Sequence, residues 1–199
     1  MKLIIMTKPT FFVEEDKIIS ALFDEGLDNL HLRKPNTEPM FSERLLSLLP
    51  EEALRKITVH EHYYLKDEYG LAGIHLDNAD DSIPDGYKGK FSRTCHTPSL
   101  LKDMKKKSRY VFLGNIFDSA YDKADITEQE LSNLADMGLI DKHVYALGGV
   151  TADNISIIHD WGFGGVVICD DIWNKFDIHK DSDYKKLMSH FEKIRRAVD

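Results

Sequence analysis

Four stretches of this chain spell the same junction. DEGLDNLHL, DEYGLAGIHL, ADMGLIDKHVYAL and HDWGFGGVVI each run from the end of a helical pattern, through a glycine and an apolar residue, into a β-rich run. Glycine adopts the left-handed conformation that ends a helix without a Cβ clash, and the apolar residue after it packs back on the helix. The chain then enters a strand. One helix-to-strand junction repeated in this way, with helices and strands alternating throughout, specifies βα units and hence a parallel sheet.

Apolar runs predict strands at residues 2–6, 27–33, 57–59, 71–76, 90–94, 110–113 and 144–147, and an eighth in the GVVI run before Asp170. Helical spacing marks residues 13–25, 39–49, 63–69, 98–107, 128–137, 152–161 and 184–198, with Thr97 and Thr151 as expected N-caps. Residues 77–87 and 115–125 are polar, turn-rich loops. Eight strands in 199 residues favour a compact (β/α)₈ TIM barrel, one α/β domain spanning 1–199, over an open doubly wound sheet. No GxGxxG follows the first strand, which removes the main signal for a dinucleotide fold.

The charge balance narrows the partners. With 26 basic against 34 acidic residues, a formal charge of −8, nonspecific binding to nucleic acid or an anionic membrane is disfavoured. Lys102, Lys105, Lys106 and Lys107 close a helix, where cations complement the dipole. No apolar run approaches membrane-spanning length, and the first apolar run is broken by Lys8-Pro9 too soon for a signal peptide, so a cytoplasmic location is expected. Cys95 and Cys169 lie beside apolar runs without metal-type spacing and are expected as free thiols.

Barrels of this kind place their chemistry at the C-terminal ends of the strands, often with phosphate on the loops after strands seven and eight. The polar groups there are His31 and Arg33, His60 and Glu61, His75 and Asp80, Thr94 and His96, Ser119, Gly148 and Gly149, and Asp170. Four of the nine histidines fall at the ends of strands two to five, which a random scatter would not produce. Arg33 needs an anion, supplied either by substrate or by a structural ion pair. Glu61 and Asp80 could share Mg²⁺ or simply be solvated loop acids. His75 in its apolar strand is either structural or a ligand, and His62 is expected on an exposed helix. A zinc site of His31, His60 and His96 is a further reading, since imidazole suits Zn²⁺. Gly148 and Gly149 can leave backbone N–H groups open to a phosphate, although any βα turn favours such residues.

In order, these segments resemble the thiamin phosphate synthase and TenI family. His31-Leu32-Arg33 is similar to the family's Gln-x-Arg segment in its His-x-Arg, TenI-like form; His60-Glu61 stands where synthases carry Asn-Asp, and Asp80 where they carry a second acid. Thr94-Cys95-His96-Thr97 resembles Ser-x-His-Thr, YVFLGNIF resembles Tyr-Val-x-x-Gly-Pro-Ile-Phe, and residues 146–154 resemble Ala-Ile-Gly-Gly-Ile-Thr-Pro-x-Asn. The resemblance implies a (β/α)₈ barrel acting on a thiazole phosphate. In synthases a pyrimidine pyrophosphate loses Mg²⁺-bound pyrophosphate, and the thiazole nitrogen captures the resulting cation. In the TenI branch the reaction is a thiazole tautomerisation, a proton transfer, and His96 matches its acid/base histidine.

Departures weigh on the choice. Pro35 stands where synthases carry lysine, His60 replaces Asn, Tyr121 and Asp122 occupy part of the Thr-x-Thr-Lys pyrophosphate loop, and Asp170 replaces a phosphate-contacting Ser. Glu61 for Asp is mild, and Lys123 could replace the loop lysine through a one-residue shift. The expectation is therefore a TenI-like tautomerase with His96 and His31 catalytic, and with Arg33, His60, Thr94, Ser119, Gly148, Gly149 and Asp170 around the substrate. The alternatives are a synthase using Mg²⁺ on Glu61 and Asp80, and a noncatalytic sensor of a thiamin precursor.

Overall fold

The computed structural model describes residues 1–119, 122–175, 177 and 180–199. Eight parallel strands close on themselves in the order β1 to β8: β1 (Lys2–Met6), β2 (Asn29–Leu32), β3 (Ile57–Val59), β4 (Gly73–Leu76), β5 (Phe91–Cys95), β6 (Val111–Leu113), β7 (Val144–Ala146) and β8 (Gly165–Ile168). Pairing of β1 with β8, Leu3 opposite Val166 and Ile5 opposite Ile168, completes the barrel and rules out the open sheet.

Around it run α1 (Glu15–Asp24), α2 (Pro39–Ser47), α3 (Glu51–Leu54), α4 (Leu65–Glu68), α5 (Leu101–Lys107), α6 (Glu128–Asp136), α7 (Ile155–Asp160), α8 (Asp170–Trp173) and α9 (Asp181–Val198). Strand β4 reaches β5 without a helix, through the expected loop.

The repeated glycine junction works as its chemistry requires. Gly26, Gly70, Gly138 and Gly162 all have positive φ, and the residue after each donates back to the carbonyl five positions earlier: Leu27 to Leu22, Leu71 to Lys66, Leu139 to Leu134 and Phe163 to Ile158. This is the Schellman closure, which satisfies helix-end carbonyls and turns the chain toward the sheet.

Two sequence expectations shift. The helix after β7 begins at Ile155, three residues late, and Thr151 donates its N–H to Asn154 Oδ1 at 2.9 Å instead of capping the helix. Pro98 opens a single 3₁₀ turn (Pro98–Leu100) before α5, and Thr97 makes no side-chain cap bond. No described helix is long and apolar enough to cross a membrane. Cys95 and Cys169 are both free thiols.

Strand alternation sorts the apolar residues into two bodies. Leu3, Ile5, Leu30, Leu32, Ile57, Val59, Ile74 and Leu76 face the helices in the main core. Ile4, Tyr110, Phe112 and Val167 form a separate cluster, with Met6, Tyr145 and Leu147 against it. The two-residue period of a strand explains the split: successive positions face opposite sides, and in a barrel one side is the lumen.

Candidate active site

The expected strand-end residues divide into those at the mouth and those below it. His31 is fully buried in the lumen, with Nδ1 2.8 Å from His60 Nε2 and Nε2 2.8 Å from the Tyr110 hydroxyl. The His60 side chain is also fully buried, and its Nδ1 lies 2.6 Å from Asp77 Oδ1. His75 bonds Ser92 Oγ and Thr94 Oγ1, both at 2.8 Å, and its ring stacks on that of His60 with centroids 4.4 Å apart. His31, expected as catalytic, and His60 and Thr94, expected at the substrate, are therefore buried below the mouth. His75 takes the structural role.

Arg33 stays at the mouth. Its backbone is held by Thr7, whose Oγ1 accepts from Arg33 N and donates to Arg33 O, both at 3.0 Å. Its Nε donates to Asp77 Oδ2 at 3.2 Å, while Nη1 and Nη2 make no hydrogen bond to described residues. A half-exposed fork anchored at one nitrogen is arranged to take an anion with the other two. Asp77 bridges Arg33 and His60. Burial alone would raise its pKa, but the hydrogen bond from His60 and the Arg33 guanidinium hold it well below the usual carboxylate range.

Asp77 was missed by sequence reasoning, which followed the family spacing to Asp80. Its signal was its place as the first residue beyond β4. Asp80 is exposed and makes no hydrogen bond to described residues, while Glu61 accepts the Lys34 backbone N–H on Oε2 at 2.9 Å. Lys34 turns inward and is buried with Glu15 at 2.5 Å, 4.5 Å from the Phe11 ring centre. Burial pushes the Lys34 pKa down and that of Glu15 up, each offset in part by the other's charge. That lysine contributes no charge to the mouth.

The described groups of three histidine, cysteine or acidic ligand atoms within 4.8 Å of one another reduce to His31, His60 and His75. Four of the six ring nitrogens meet protein atoms outside the cluster, and the other two meet each other at the 2.8 Å of a His31 to His60 hydrogen bond. The zinc reading is corrected in its third member as well, because His96 stands elsewhere.

His96 follows β5 at the mouth, with its side chain about half exposed. Its Nδ1 lies 2.7 Å from Asp125 Oδ2, which also accepts the Asn115 N–H at 2.9 Å; Nε2 has no hydrogen bond to described residues. Burial works against the Asp125 carboxylate, yet the Asn115 N–H and His96 bring its pKa below the ordinary range. The carboxylate therefore fixes a histidine whose outer nitrogen is available for proton transfer.

The glycine loop after β7 is tighter than a simple cradle. A Cβ on Gly148 would lie 2.6 Å from Asn115 side-chain atoms, and one on Gly149 would lie 2.5 Å from the Asp118 carbonyl oxygen. Both glycines also have positive φ. Packing on the β6 loop thus requires them whether or not an anion binds.

One N–H of the turn, that of Ala152, is taken by Asp171 Oδ2 at 3.1 Å, and the same oxygen meets His190 Nε2 at 2.7 Å. Ser119 closes a turn with Asp122, and Lys123 pairs with Asp118 at 2.6 Å. Tyr121 lies outside the described residues. Burial and then the Asp122 charge raise the pKa of Asp170, so this end of the mouth is acidic.

Comparison with known proteins assigns the chain. No protein-family model matches it. A thiamine-phosphate synthase of Serratia proteamaculans is 24% identical over 168 residues, 78% of this chain and 79% of that protein. The crystal structure of a thiamine phosphate pyrophosphorylase from Bacteroides thetaiotaomicron is 49% identical, with a TM-score of 0.90 over 100% of this chain and 98% of that one. A thiamine phosphate pyrophosphorylase from Pyrococcus furiosus, 16% identical with a TM-score of 0.76 over 99% and 95% of the two chains, shares the fold. The chain belongs to the thiamin phosphate synthase/TenI-like family.

Proposed function

We propose that this protein tautomerises a thiazole phosphate, with His96 as acid and base. The observation that carries the reading is the Asn115 N–H to Asp125 to His96 array, with His96 Nε2 open at the mouth. In that step Nε2 accepts a proton from the thiazole system and returns it at the other tautomeric position, so no proton is gained or lost overall. The Asp125 carboxylate stabilises the intervening imidazolium and keeps the ring in one orientation. Arg33 takes the substrate phosphate through its free terminal nitrogens.

A pyrophosphate leaving group needs cations around its oxygens. Here Pro35 replaces one, Lys34 is buried on Glu15 and Lys123 lies on Asp118. These features favour proton transfer over the synthase reaction.

The names of the relatives favour the second reading, a synthase. Its Mg²⁺ would be held by Glu61 and Asp80, whose Oε1 and two carboxylate oxygens accept no hydrogen bond from described residues and are of the type that suits Mg²⁺. When bound, that ion would neutralise charge on the departing pyrophosphate.

The test is to incubate metal-free protein with the thiazole tautomer, and separately with both synthase substrates with and without Mg²⁺. Tautomer turnover that falls about 10²- to 10⁴-fold in His96→Ala supports the proposal. Mg²⁺-dependent thiamin phosphate formation, or turnover unchanged in His96→Ala, overturns it. Binding without turnover of either substrate favours the sensor.

A further inference from the structure

Below the mouth, four side chains are joined end to end. The Tyr110 hydroxyl meets His31 Nε2, His31 Nδ1 meets His60 Nε2, and His60 Nδ1 meets Asp77 Oδ1, at 2.8, 2.8 and 2.6 Å. The three interior members are at most 9% exposed, whereas Asp77 reaches the mouth and touches Arg33. The chain starts beside β6 and crosses the lumen to β2, β3 and the end of β4.

We propose that Tyr110, His31 and His60 form a one-directional hydrogen-bond relay that fixes Asp77, and through it Arg33, for binding the substrate phosphate. Tyr110, His31 and His60 are thus positioning residues, and the inference rests on the reading of Arg33 as the phosphate contact.

The direction follows from counting protons. Asp77 is a carboxylate and can only accept, so His60 carries its proton on Nδ1. Burial pushes the His31 pKa well down, leaving a neutral ring with one N–H and one lone pair. A His31 ring that carries its one proton on Nδ1 has a lone pair on Nε2, and the Tyr110 hydroxyl 2.8 Å away is the donor it meets. His31 Nδ1–H then donates to His60 Nε2, and His60 Nδ1–H to Asp77. Every donor points toward the mouth.

A second cation at His60 would lie against Arg33, since both share Asp77. With His60 neutral, the carboxylate takes one oxygen's hydrogen bond from His60 and leaves its charge to the Arg33 guanidinium. Aligned hydrogen bonds polarise one another, so a hydroxyl across the barrel strengthens the hold on Asp77. With Nε fixed in this way, the terminal nitrogens of Arg33 meet a phosphate already oriented.

A bidentate cation-to-anion contact that loses its orientation gives up part of a 10- to 100-fold affinity, about 3- to 10-fold. The test uses the full chain. Isotope-edited NMR of the histidine rings should find His31 and His60 both neutral and both protonated on Nδ1. Titration with inorganic phosphate should show Kd raised about 3- to 10-fold in Tyr110→Phe and at least as much in Asp77→Asn, with no change in Ile4→Ala, a packing control.

If the thiazole phosphate is turned over, Tyr110→Phe should raise KM by a larger factor than it lowers kcat. An Nε2-protonated or doubly protonated His60, or phosphate affinity unchanged in both Tyr110→Phe and Asp77→Asn, overturns the relay. So does a stoichiometric metal ion that His31→Gln releases. Absence of thiazole turnover with the NMR and phosphate results intact would defeat the proposed reaction and leave the relay standing.

Discussion

The lumen has two halves made from one strand pattern. Strands β2 to β5 turn His31, Thr58, His60, His75, Ser92 and Thr94 inward; β6 to β8 and β1 turn in Phe112, Tyr145, Val167 and Ile4. Both halves are closely filled, yet they are held differently. In the apolar half, burial and ring packing act without direction, as in the Tyr110 and Tyr145 rings stacked at 4.8 Å. In the polar half each group needs a particular partner, because a buried donor left unpaired costs about 1–3 kcal/mol. Stability is expected to respond to volume in one half and to protons in the other. Phe112 lies between them, 4.6 Å from both the His31 and His75 rings.

The largest effect belongs to volume. Ile4 is 1% exposed in the lumen cluster, and Ile4→Ala should lower the unfolding free energy by about 2–5 kcal/mol, read from urea denaturation. The loss should be equal at pH 7 and pH 5. A pH-dependent loss would break the division between the halves.

Protons come next. Burial pushes His31 and His75 well below their ordinary pKa, so both rings are neutral in the folded chain. As pH falls through about 6.5, the unfolded chain takes up protons that the folded chain refuses, and the equilibrium moves toward unfolding. Stability is whole above that pH and declines below it, by about 2 kcal/mol for each ring at pH 5. His75→Gln should remove one ring's share, reducing the change in unfolding free energy between pH 7 and pH 5 by about 2 kcal/mol. An unchanged slope would show that the polar half does not titrate against folding.

How much of this was legible follows from distance along the chain. The glycine junctions were readable because positive φ at Gly26, Gly70, Gly138 and Gly162 is a local demand, and strand alternation placed His31 opposite Leu30 and Leu32. The barrel followed from these. Partners were not readable: Tyr110 lies 79 residues from His31, and Asp125 lies 29 from His96, so no short spacing joins them. Asp77 was nearer, but family spacing drew attention to Asp80. Thr94 and His60 looked like mouth residues because each ends a strand. The register instead directs them inward, where His75 and Asp77 take their bonding groups.

The smallest effect concerns the opposite rim of the apolar half, where the glycine loop and Asp170 lie. The loop keeps its glycines for packing against Asn115 and Asp118, so their presence alone does not argue for an anion. Asp170 opposes one: its pKa is raised by burial and then by Asp122, which means that negative charge is already crowded there. A phosphate brought to this rim adds to the same repulsion. Because both acids are partly in water, their effect is screened, and removing one should be worth about 0.2–1 kcal/mol. Asp170→Ser should therefore lower the Kd of inorganic phosphate by about 1.5- to 5-fold, with the gain shrinking as salt is raised. Affinity unchanged at low salt would mean that bound phosphate lies away from β8, on Arg33 at the polar rim.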